Sequence, residues 1–169
     1  MANTYTLISS NTLTSSAASV TFSSIPATYT DLVLRISTRN DRTTSTSTMP
    51  LVKFNSITGA ISSTYIEANG SSVLSSSTGG NNQLYVAPSP SSTTTSNTFD
   101  NQEIYIPNYA GSTNKPISVF GVMENNSATV NYIDSVANLL SNTAAITSIT
   151  ISLSSTFQFV SGSSFYLYG

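Results

Sequence analysis

Apolar side chains recur at every second position in short runs along almost the whole chain. A period of two marks a β-strand with one face on a core. The clearest run covers residues 31–36, where Leu32, Leu34 and Ile36 share one face and Asp31, Val33 and Arg35 the other. Comparable runs cover 4–8, with Tyr5 and Leu7 on one face, and 19–23, ending at Ile25-Pro26. Others cover 51–54 and 64–67, with Thr58-Gly59-Ala60 as the turn between them, and the short 84–86. Further runs follow at 103–106, stopped by Pro107, and at 128–136, 149–153 and 164–168. Residues 117–123 are apolar on both sides, which predicts a central strand covered on each face. The helix formers Glu, Lys, Arg, Gln and Met are scarce, while Thr, Ser, Val, Ile and Tyr dominate. One helical turn is expected, over 135–140. About ten or eleven short strands with close spacing predict an all-β fold. The expected architecture is an antiparallel β-sandwich, jelly-roll-like and essentially without helix, as one domain over residues 1–169. A closed barrel is the alternative way to protect the sheet edges.

Three stretches read as loops: the Thr/Ser run 43–48, the Ser/Gly-rich 71–82 and the Pro/Ser/Thr-rich 87–97. The strand pattern resumes unchanged after each, so they belong inside the domain. No fixed-period repeat is present, which disfavours a fibrous shaft. The apolar run 164–168 before Gly169 is expected to be integral to a sheet.

Composition excludes much chemistry. The 169 residues include 34 Ser, 25 Thr and 16 Asn but no His, Cys or Trp. Histidine triads, thiol nucleophiles, disulfides and Cys/His zinc sites are therefore ruled out. Charged residues make up 7% of the chain, against about 25% in an average soluble domain. A net charge of −2 with five cations argues against nucleic acid and anionic membranes as partners. No run approaches the ~20 apolar residues of a membrane span, and the N-terminus has no signal-peptide pattern. Synthesis in the cytoplasm is the expectation. Asn69-Gly70-Ser71 and Asn125-Asn126-Ser127 match the glycosylation pattern and are read as chance matches.

Candidate site residues are few. Asp100 and Glu103 are the closest carboxylates with acid/base potential, but a spacing of three places them on opposite faces of a strand. Asn40-Asp41 and Asp100-Asn101 offer too few oxygens for Ca²⁺ and read as turn residues. No catalytic, metal or cofactor residues are assigned, and no enzyme activity is expected. Arg35, Arg39 and Arg42 fall within eight residues. They form either a small basic patch for an acidic partner or local pairs with Asp31 and Asp41. The aromatics of the second half, Phe120, Phe157, Phe159, Phe165, Tyr166 and Tyr168 among them, are read as core and subunit contacts rather than a stacking platform. Weak charge also removes repulsion between copies, which suits permanent assembly.

Three segments together resemble a known family. They are Val20-Thr21-Phe22-Ser23-Ser24-Ile25-Pro26-Ala27-Thr28-Tyr29-Thr30-Asp31-Leu32-Val33-Leu34, Ile104-Tyr105-Ile106-Pro107-Asn108-Tyr109-Ala110 and Ser161-Gly162-Ser163-Ser164-Phe165-Tyr166-Leu167-Tyr168-Gly169. In this order the chain resembles small virion structural proteins of tailed bacteriophages, of the decoration or fibre type. The resemblance implies a β-sandwich on the outer surface of a virion, self-associating as a homo-oligomer, often a trimer. It carries no catalytic residues. The expected function is that of a capsid decoration or cement protein bound to the major capsid protein. The alternative is a tail- or head-fibre-associated protein that binds host glycans. The runs 43–48 and 87–97 depart from the family's pattern.

Overall fold

The alternating runs form strands because only a pleated backbone sends successive side chains to opposite sides. A computed structural model describes residues 5–126, 130–154 and 156–169. Its elements are β1 (Leu7–Thr12), β2 (Ser19–Phe22), β3 (Leu32–Ser37), β4 (Ser47–Thr48), β5 (Leu51–Phe54), β6 (Ile61–Ala68) and β7 (Val73–Asn81). They continue with β8 (Ser89–Pro90), β9 (Asn101–Ile106), β10 (Lys115–Met123), β11 (Tyr132–Leu140), β12 (Ile149–Ser152) and β13 (Ser164–Tyr168). No helix occurs among the described residues.

The architecture is an antiparallel β-sandwich with unequal layers. Eight strands form the large sheet in the order β1-β13-β3-β9-β10-β11-β6-β7, and three form the small sheet, β2-β12-β5. β4 and β8 add a two-stranded clip. Both sheets contribute to one core. From the large sheet come Leu34, Ile104, Val119 and Val136, aligned across neighbouring strands, and from the small sheet Val20, Phe22, Val52, Phe54, Ile149 and Ile151.

Four expectations need correction. Residues 71–82, read as a loop, contain β7, a nine-residue edge strand whose residues are nearly all exposed. Ser and Thr there give no apolar alternation, and the strand is held by backbone pairing to β6. Gly79 and Gly80 take up the register shift opposite Ser62, and Gly80 does so at φ +70, where a Cβ is strained. Residues 135–140 form part of β11 and not a helical turn. The run 84–86 supplies only an isolated bridge, Leu84 to Val52. The first strand lies at 7–12 instead of 4–8, with Tyr5 and Leu7 exposed. The start of the expected strand over 128–136 and residues 1–4 lie outside the described residues.

Candidate functional site

The two layers turn different faces to solvent. On the small sheet the outward positions include Ser19, Thr21, Lys53, Thr150 and Ser152, and the Thr21 and Thr150 hydroxyls are bonded at 3.0 Å. On the large sheet the register aligns Val122, Ile133, Ala68 and Val73 in one outward row across β10, β11, β6 and β7. The adjacent row holds Phe120, Ser135, Ile66 and Ser75. Phe120, Ile133 and Ile66 are each more than half exposed, and Val73 is 72% exposed. Leu139 and Pro116 pair further along β10 and β11, separated from Phe120 by the row of Ser118, Ala137 and Thr64. Single exposed apolar residues are ordinary, but exposed apolar residues on four adjacent strands are more than that background. No outward position on β10, β11 or β6 is charged.

The other half of the same face, on β13, β3 and β9, is aromatic and polar. Arg35 Nε donates to Glu103 Oε2 at 2.9 Å, and Nη2 lies 2.8 Å from the same oxygen. This is the one ion pair among the described residues. The guanidinium also lies 5.8 Å from the centre of the Tyr168 ring. The Tyr105 hydroxyl donates to Asp31 at 2.7 Å, and this bond to a carboxylate raises its pKa. At the junction of the halves, Arg35, Asn101, Glu103, Phe120 and Val122 line an open cleft of about 370 Å³.

The three arginines occupy separate surroundings. Arg35 alone sits on the large sheet's outer face. Arg39 is buried, and its guanidinium donates to the carbonyls of Thr94, Thr95 and Thr98 at 2.8–3.1 Å. It clamps the loop that returns from β8 to β9. Arg42 donates to the hydroxyls of Thr44 and Thr48 and lies 5.2 Å from the centre of the Phe157 ring. The alternative of local pairs with Asp31 and Asp41 does not form, because those carboxylates accept from Tyr105 and Asn108 and from the backbone of Gln158. Lys115 likewise serves the fold, with Nζ donating to the carbonyls of Gly111, Thr113 and Asn142.

Asp100 and Glu103 are directed to opposite sides, as the spacing predicts. Asp100 is buried and accepts from Thr38 and Gln102, and burial pushes its pKa up to about 7. Glu103 is on the surface with Arg35. Asn40 holds the β4–β8 region, donating to the carbonyls of Ser89 and Pro90 and accepting from the backbone of Arg42.

Sequence reasoning missed the apolar face although its signal was visible. The two-sided apolar pattern of 117–123 predicts cover on both sides, but the outer side stays open, with Phe120 57% exposed. The molecule is thus an antiparallel sandwich in which one half of the large sheet's outer face, on β10, β11, β6 and β7, is uncharged and rich in exposed apolar side chains. Compared with known families, curated proteins and solved structures, the chain matches none of them.

Proposed function

We propose that the protein is a structural component of a bacteriophage virion that acts by packing its large-sheet outer face on neighbouring proteins. The observation that carries this reading is the uncharged apolar array of Phe120, Val122, Ile133, Ile66 and Val73. A face of this kind gains free energy when covered, and it presents no charge whose desolvation would oppose contact. The resemblance to decoration and fibre proteins supplies the setting. In this reading the chain is a capsid decoration protein, a homo-oligomer (a trimer by that resemblance) on the virion's outer surface. It binds the major capsid protein and stiffens the shell. Arg35, beside the apolar array, is the cation best placed to meet an acidic group at the rim of that contact. Virions stripped of the protein then rupture at lower temperature, and an unchanged rupture temperature counts against cementing. Copy number per virion separates shell from fibre: hundreds of copies indicate a shell location, a few dozen or fewer a tail or fibre.

A second reading rests on the cleft at the junction. An aromatic ring beside a guanidinium, a carboxylate and an amide is a combination suited to sugar hydroxyls and ring faces. This supports a fibre-associated protein that binds host glycans. Glycan-array binding lost in Phe120→Ala and Asn101→Ala favours it; an array without binding removes it.

A further inference from the structure

The inner face of the large sheet contains a carboxylate that the fold leaves without a donor. Asp134 on β11 is fully buried, and neither of its oxygens has a hydrogen-bond partner. It stands directly opposite Glu67 of β6, in the same cross-strand row. Side chains in such pairs lie about 5 Å apart at Cβ, and like charges there repel. The Tyr85 hydroxyl donates its hydrogen bond to Glu67 Oε2, at 3.4 Å, and not to Asp134. On the other side of Asp134 the row continues through Gly121, which has no side chain, to Gln102, whose Oε1 is also buried without a donor. The row therefore concentrates acceptors, and its amide donor, Gln102 Nε2, is taken by Ala87 O and Asp100. The buried cations do not compensate: Arg39 is committed to the 94–98 loop, and Lys115 lies about 20 Å along β10 from Gly121.

The geometry points to a calcium site formed by the carboxylates of Asp134 and Glu67 beside the Tyr85 hydroxyl. An unpartnered buried carboxylate beside a second carboxylate is the arrangement that a divalent cation neutralises, whereas one proton neutralises only half of it. All the oxygens are hard, which selects Ca²⁺ over the softer transition metals. Calcium also tolerates an irregular ligand set completed by water, which Mg²⁺ does not. Access is from the β7 side, where Glu67 is half-buried and Leu74, opposite it, is half exposed. Burial and the neighbouring Glu67 push the Asp134 pKa up to about 7, the expected state of such a pair without its counter-ion.

The site has its own optical probe. Tyr65 stacks on Tyr85 with ring centroids 3.9 Å apart, so Tb³⁺ bound between the carboxylates lies next to tyrosine rings that sensitise its emission. The purified protein is titrated with Tb³⁺ under tyrosine excitation and then with Ca²⁺ as competitor. The site predicts saturable emission, displacement by Ca²⁺, and on the order of tenfold or more weaker binding in Asp134→Asn and in Glu67→Gln. No saturable emission, or emission in both variants equal to that of the native chain, overturns it. If Asp134→Asn fails to fold, Glu67→Gln and the native protein's thermal midpoint decide. The midpoint rises in Ca²⁺ and falls back with chelator if the site exists. A midpoint indifferent to Ca²⁺ overturns it.

Discussion

Individual side chains divide between those that hold the fold and those that face a neighbour. Arg39 belongs to the first group, since its removal leaves three loop carbonyls without their donor. Arg39→Met is expected to cost about 2–3 kcal/mol, or roughly 5–10 °C in Tm for a chain of this size. Thermal unfolding checks this, and a shift under 1 °C would show that the clamp is dispensable. Asp100 gives a signed pH dependence. Its folded pKa of about 7 exceeds the ordinary 3.8, so between those values the folded state holds more protons than the unfolded one. Its contribution is therefore complete below about pH 4 and is lost as pH rises through 7. The loss is on the order of 4 kcal/mol. Denaturant midpoints measured from pH 4 to pH 8 in chelator should fall, and Asp100→Asn should reduce that slope while the part due to Asp134 remains. An equal slope in the variant would assign the effect elsewhere.

At the level of elements, legibility follows burial. β3, β9 and β13 were readable because each buries alternate apolar residues, and Leu32, Leu34 and Ile36 are all on the core side. β7 was not, because an edge strand exposed on both sides needs no alternation. The same fact predicts its dynamics: β7 pairs on one side only and buries almost nothing, so its amides should exchange with solvent far faster than those of β10 and β11. Uniform protection across the eight strands would contradict that view. The runs 43–48 and 87–97 read as loops because their partners are each other. Ser91 N donates to Thr46 O at 3.0 Å, Ser92 Oγ to Arg42 O at 2.7 Å and Thr93 Oγ1 to Ser45 O at 2.9 Å. Hydroxyl-to-backbone contacts of this kind leave no periodic trace in a sequence. Asp134 was legible only as one of several alternating positions in a run, since its isolation depends on Glu67, which is far off in the sequence on β6 and becomes a neighbour only through the β6–β11 pairing.

The whole molecule is asymmetric in a way composition alone conceals. Low charge is spread over the chain, but the two sandwich faces differ: hydroxyls cover the small sheet, and aliphatic and aromatic side chains cover half of the large one. An assembly protein needs one such face. The central claim is that the Phe120–Ile133–Ile66 face is the one that meets the neighbour. The direct measurement is retention of purified protein on capsids lacking it, comparing the native chain with Phe120→Asp/Ile133→Asp. Both side chains are already in solvent, so the variant should keep the native circular dichroism spectrum. The account predicts that it no longer sediments with capsids while the native chain does. Equal retention of the two proteins would contradict it.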